Sequence, residues 1–193
     1  MLLGQVKIPK DASVYVPYIG DGDIAAELYS EYRIFGADLD AQRVKTAQSR
    51  LEGAQVRVAD CDRWPFPYQD AVFTVGDFDA YAYPYDSFRA FWNHANKADE
   101  MVLFFTDAQK MAAARSGSIR MPTGERHKFE STNERRKMIN FYFKRYLLPW
   151  LPEAVAPYEV VTTKKYLRGM MIYWGAVIRK PKDGPKNRRG GGM

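Results

Sequence analysis

Between residues 13 and 106 the chain alternates short apolar runs with stretches of helical periodicity, each pair at the length of a βα unit. Val14, Tyr15 and Val16 form an apolar run that stops at Pro17 and Gly20, as a buried strand entering a tight turn does. Residues 24–32 then carry apolar side chains at helical spacing, Arg33 to Ala37 returns to a strand, and Asp40 is placed to cap a helix over about 41–51. Val56 and Val58 mark a third strand and Val72 to Val75 a fourth. A helix is expected over residues 87–98, with a fifth strand from Met101 to Thr106. Successive parallel strands need a crossover, and a helix supplies it. The pattern therefore predicts an α/β fold, a mostly parallel sheet with helices on both faces.

Residues 107–130 break the rhythm. They are polar, basic and rich in turn formers, and read as a long loop that serves either as a lid or substrate-binding element or as plain mobile surface. Ser131 followed by Glu134 is a capping box that opens a helix to about Leu148, which Pro149 and Pro152 end. Glu159 to Lys164 and Met171 to Ile178 read as strands too close in sequence for a crossover helix, so they pair antiparallel. Residues 1–179 are expected to form one domain. Residues 180–193, with five basic residues and one acid, read as a disordered basic tail.

Several classes are disfavoured at once. A single cysteine, Cys61, excludes an intrachain disulfide framework and fits a reducing compartment. The two histidines, His94 and His127, lie far apart without companion cysteines, so no metal site is expected. No run approaches the length of a membrane span, and the apolar start is short for a secretion signal, which together predict a cytoplasmic location. The net charge of +6 points to a polyanionic partner, RNA more than DNA. Oligomeric state is not legible.

The candidate cofactor site is the turn after the first strand. Gly20, Gly22 and Ala25 make a G-x-G-x-x-A, in which the glycines permit a tight turn and close ligand approach while alanine lets the helix pack near the sheet. Asp38 ends the second strand 18 residues beyond Gly20, where a carboxylate can accept both ribose hydroxyls of an adenine nucleotide. The plainer alternative is that Asp38 and Asp40 only cap the next helix. Dinucleotides and S-adenosylmethionine share this geometry. Asp21 and Asp23 beside the turn disfavour a pyrophosphate and suit a ligand bearing sulfonium and ammonium groups.

In its order of motifs the sequence resembles the class I S-adenosylmethionine-dependent methyltransferases over about residues 12–179. Val14 to Gly22, with Pro17 and Tyr18 ahead of the glycines, resembles the first motif of the members that modify amino groups of nucleic-acid bases. Gly36 to Asp40 resembles the ribose-binding segment, and Ala59-Asp60-Cys61 the segment whose acid meets the adenine amine. The resemblance implies a Rossmann-like class I methyltransferase fold with a seven-stranded sheet and a C-terminal antiparallel hairpin. It also implies S-adenosylmethionine as cofactor, held by Pro17, Tyr18, Gly20, Gly22, Asp38, Leu39, Asp60, Cys61 and Asp77. Asp77 to Pro84 partly resembles the D-x-D-P-F/Y-G-S-P segment of tRNA guanine-N2 methyltransferases, departing from it at Ala80, Ala82 and Tyr83.

The activity so implied is methyl transfer to an amino group, with an RNA base as the expected substrate. A conjugated amine is a poor nucleophile, and an acceptor for its N–H favours the developing charge. Asp79 is the candidate acceptor and Asp77 the second, while Tyr81 would stack on the base. Tyr83, Pro84, Arg115, Arg120, Arg126 and Lys128 are the remaining candidate substrate contacts, the basic ones along a phosphate backbone. The aspartates can instead cap local turns, and the tyrosines can cover the sheet edge. Three other readings stay open: a small-molecule or DNA methyltransferase, an NAD(P)-dependent oxidoreductase, and a non-catalytic RNA-binding or partner-activating protein of the same fold.

Overall fold

The computed structural model describes residues 8–63, 67–80 and 82–181. Trp64, Phe66, Tyr81 and the tail from residue 182 lie outside the described residues. Strands β1 (Ser13–Pro17), β2 (Arg33–Asp38), β3 (Gln55–Val58), β4 (Val72–Phe78), β5 (Asn96–Asp107), β8 (Glu159–Arg168) and β9 (Met171–Arg179) form one seven-stranded sheet in the order β3-β2-β1-β4-β5-β9-β8. The first five pair in parallel, and β9 runs antiparallel to both β5 and β8. This is the expected fold class, including the terminal hairpin, which turns at Gly169 with φ +59°.

Alternation along the strands assigns side chains to two layers. Val14 and Val16 of β1 and Val75 of β4 face helices α1 (Asp23–Tyr29) and α2 (Ala41–Arg50), where they meet Ala25, Tyr29, Val44 and Ala47. Tyr15, Phe73, Phe78, Leu103 and Phe105 face the other way, onto α3 (Tyr85–His94) and the helices after β5. That second layer is aromatic: Tyr15 stacks on Phe91 with ring centroids 5.3 Å apart, and Phe105 on Trp174 at 4.4 Å. Among the described residues no helix is long and apolar enough to cross a membrane.

Two expectations are corrected. Residues 107–130 are ordered structure, not an irregular loop: α4 (Gln109–Ser116) is followed by the antiparallel pair β6 (Ser118–Arg120) and β7 (Arg126–Lys128). Alanines at 112–114 favour the helix, and Gly117 at φ +66° ends it. The short hairpin hides among polar residues because Ile119 alone is buried on its strands. Second, Pro149 and Pro152 do not end the helix begun at Ser131. Helix α5 (Thr132–Tyr142) passes through a π-helical turn, Phe143–Leu147, into α6 (Leu148–Ala154). Pro149 falls in the first turn of α6, just after the π turn has re-phased the ladder, where a missing N–H is tolerated. The capping box is present in altered form. Ser131 Oγ accepts from Glu134 N at 3.1 Å, while Glu134 takes the Glu130 N–H at 2.7 Å and pairs with His127.

Candidate functional site

Strand order reverses between β1 and β4, and the chain leaves both at the same sheet edge, so a crevice opens there. Its floor is the turn after β1. Three residues in a row of five adopt positive φ: Tyr18 at 56°, Gly20 at 56° and Gly22 at 82°. Gly22 is closely packed, because a Cβ there would stand 3.1 Å from Leu51 and 3.3 Å from Ala47. Tyr18 is held in its unfavourable conformation by two bonds. Its N–H donates to Cys61 Sγ at 3.4 Å and its phenol to Asp62.

Asp38 closes the turn from the neighbouring strand. Its Oδ2 accepts the Gly20 N–H and its Oδ1 the Asp40 N–H, both at 3.0 Å, so each oxygen keeps a lone pair for a further donor. Asp40 caps α2 by accepting from Gln42 N at 2.8 Å and Arg43 N at 3.2 Å. The crevice above has a volume of about 740 Å³ and runs from this turn past Asp77, Asp79 and Ala80 to Tyr83, Asp86 and Arg120. Seven aspartates and two arginines line it, an excess of negative charge.

At its centre Asp77 is buried at the end of β4 and accepts the Tyr29 hydroxyl at 2.7 Å. Burial pushes its carboxyl up to about 6, against the lowering effect of that bond, and the nearby Asp79 charge raises it further. Asp79 is half-buried beside it. A second cavity of about 570 Å³ meets the first at these two carboxylates and at Ile24. It is mostly apolar, with Leu28, Phe104, Tyr166 and Tyr173 along it.

Tyr18, Gly20, Asp38, Asp77, Asp79, Tyr83 and Arg120 are thus brought to one crevice. The remaining candidates are placed otherwise. Pro17 is buried within β1, and Leu39 is exposed outside the lining. Asp60 takes the Asp62 N–H at 3.0 Å and pairs with Arg63, and its neighbour Asp62 lines the crevice in its stead. Cys61 lies beneath Tyr18, where burial pushes its thiol up to about 12. Pro84 is buried at the start of α3. Arg115, Arg126 and Lys128 are exposed on α4 and β7 and do not line the crevice. Arg120 is committed: its guanidinium forks onto Asp86 and lies 4.3 Å over the Tyr83 ring. Tyr29, Asp62 and Asp86 were not singled out as site residues from sequence. Tyr29 was legible only as an apolar-face residue of its helix. Among the described residues no group of side chains could hold a metal ion.

No family model and no curated protein matches the sequence. Solved structures do match over most of the chain. An S-adenosylmethionine-dependent methyltransferase from Methanosarcina mazei aligns with TM-score 0.57 and 13% identity, over 93% of this chain and 96% of that one. One from Mesorhizobium loti gives TM-score 0.57 and 16% identity over 93% and 95%. The N-methyltransferase NodS from Bradyrhizobium japonicum, solved with S-adenosyl-L-homocysteine, gives 0.55 and 10% over 89% and 79%. The fold is therefore that of class I methyltransferases. The cyclase SpnF shares it, with TM-score 0.52 and 13% identity over 89% of this chain and 75% of that one, so the chemistry has to be argued from the site.

Proposed function

We propose that the protein transfers a methyl group from S-adenosylmethionine to an amino nitrogen at Asp79. The observation that carries this reading is the carboxylate-lined crevice at the β1/β4 switch point. Seven aspartates beside positive-φ glycines suit a ligand carrying sulfonium and ammonium charges and repel a pyrophosphate. Asp38, with a free lone pair on each oxygen, is the ribose acceptor, and Tyr18 with Ile19 and Asp62 forms the wall beside it.

When bound, the cofactor supplies an electrophilic methyl carbon, and the electron pair of the broken C–S bond stays on sulfur. The chain's own task is positioning. Asp79 accepts an N–H of the incoming amine, which aims the lone pair at the methyl carbon. After the N–C bond forms, the nitrogen carries the positive charge and releases that proton to Asp79 and on to solvent. Tyr29 fixes Asp77, so that the pair of acids presents one oriented face.

The test begins with calorimetry. S-adenosylmethionine binds the parent protein, NAD does not, and Asp38→Ala weakens binding by about 10–100-fold, the loss of a charge-assisted pair of bonds. Asp79→Asn keeps that affinity and loses methyl incorporation. Failure of S-adenosylmethionine to bind sinks the reading.

An RNA base as the amine is a second reading, favoured by Arg126 and Lys128, exposed on the hairpin whose Arg120 reaches the crevice. Under it, affinity for single-stranded RNA falls steeply with salt, and an Arg115/Arg120/Arg126 triple alanine variant shows a shallower slope.

A further inference from the structure

On the α1 side of the sheet, the register aligns one row of residues across four strands: Asp77, Phe104, Gly175 and Lys164. Residues so paired share a face, and three inter-strand steps span about 14 Å. The next row is Thr106, Tyr173 and Tyr166. Together they floor the 570 Å³ cavity that meets the crevice at Asp77 and Asp79. Ile24 and Leu28 of α1 form its wall, and Gly175 puts no side chain into the floor. Ile24, Leu28, Tyr166 and Tyr173 are all at least a third exposed, so four large apolar side chains border one open groove.

The two ends of the groove differ in charge. At the crevice end stand the two carboxylates. At the far end Lys164 has no anionic partner among the described residues, while Lys165 also borders the groove with its ammonium 4.9 Å over the Phe143 ring. The basic hairpin of β6 and β7 packs with α4 on the layer opposite α1, so this route to Asp79 avoids it.

Resting on the methyltransferase reading above, we propose that the groove is the acceptor site and that its occupant is a small flat aromatic amine with an acidic substituent. The ring system lies between Leu28 and the Phe104–Tyr173 floor, the amino group reaches Asp79, and the anionic group meets Lys164. An apolar groove of this size buries a ring or fused ring pair, and the opposed charges fix its direction. A polyanionic strand finds only two lysines here, Lys164 and Lys165, and the second is held over an aromatic ring.

The probe is 6-(p-toluidino)naphthalene-2-sulfonate, an aryl amine whose amine and anion sit at opposite ends of a flat naphthalene, followed by fluorescence. It is expected to bind the parent, to bind Leu28→Glu about tenfold more weakly because the new charge faces the ring, and to lose affinity in Lys164→Glu. Leu28 does not line the donor crevice, so calorimetric affinity for S-adenosylmethionine is unchanged in Leu28→Glu. Aminobenzoates and aminonaphthoates displace the probe and accept labelled methyl. The proposal is overturned if Leu28→Glu binds the probe like the parent, or if single-stranded RNA displaces it and aminoaryl acids do not. It is also overturned if sedimentation shows a dimer that Leu28→Glu dissociates, since the groove is then covered by a second copy. Should the variants behave as expected while S-adenosylmethionine fails to bind, the groove stands and the methyltransferase reading falls.

Discussion

The phenol of Tyr29, on the buried face of α1, donates to Oδ2 of Asp77 at 2.7 Å, joining the first helix to the end of β4 across the centre of the site. The two residues lie 48 positions apart in sequence. The bond stabilises the charged form of a carboxyl that burial, even against this bond, raises to about 6.

Removing that donor, by Tyr29→Phe, is expected to destabilise the fold by about 1–3 kcal/mol when Asp77 is ionised. Because the folded pKa of Asp77 is raised, its favourable contribution is full below the ordinary carboxylate range and is lost as pH rises through about 6. Without Tyr29 the charged form suffers further, so the deficit grows with pH. Urea denaturation of parent and variant at pH 5 and pH 8 checks this. Asp107, buried and also raised to about 6, contributes the same slope to both proteins and cancels in the difference. A deficit that is equal at the two pH values would mean that Asp77 is not the titrating partner.

Gly22→Ala tests the cradle without touching a charge. A Cβ at φ +82° is strained, and it would press on Leu51 at 3.1 Å and on the Ala47 backbone at 3.3 Å. We expect a loss of about 1–3 kcal/mol from the left-handed backbone and overpacking combined, together with weaker donor binding as α1 shifts from α2. Gly53→Ala has a similar φ, +75°, with nothing within 4 Å of the new Cβ. It should lose only the backbone part, and thermal melts of the two variants separate strain from crowding.

Asp86→Ala addresses the hairpin. Asp86 receives guanidinium bonds from both Arg89 and Arg120, and Arg89 also donates to Pro122 O. Without the carboxylate the two arginines repel, and the hairpin loses the Arg120–Asp86 fork, which leaves the Arg89–Pro122 bond as a tie to α3. Hydrogen exchange is expected to accelerate at Arg120, Met121 and Gly124, whose N–H groups bond within or beneath the hairpin. The β1 to β5 amides should stay protected. Unchanged exchange at those three amides would show that the Gln109 and strand contacts alone hold the hairpin.

How much of this was legible differs between the layers of description. The parallel sheet, the terminal hairpin, the Asp40 cap and the glycine turn answering to Asp38 follow from apolar period, turn chemistry and spacing, which are local or nearly so. Hidden from such reasoning were α4 and β6–β7, where an eight-residue helix buries Gln109 and Ala113 alone and a pair of three-residue strands leaves too little apolar period to read. The prolines misled for a related reason: a π turn ahead of Pro149 changes which carbonyl each N–H would meet.

The sequence by itself determined which residue types were available to the site and on which strands they sit. Asp38 and Asp79 stand at or just past strand ends because the strands before them are apolar, and Asp77 lies buried near the end of β4 with the Tyr29 hydroxyl as its donor. Tertiary structure alone decided what those acids do. That Tyr29 meets Asp77, that Asp62 lines the crevice while Asp60 turns to its own loop, and that Arg120 is bound by Asp86 all depend on packing between distant segments. The row of Asp77, Phe104, Gly175 and Lys164 is likewise a property of strand order and register. Period along one strand says which face a side chain takes; which neighbour lies beside it is set only when the crossovers close the sheet.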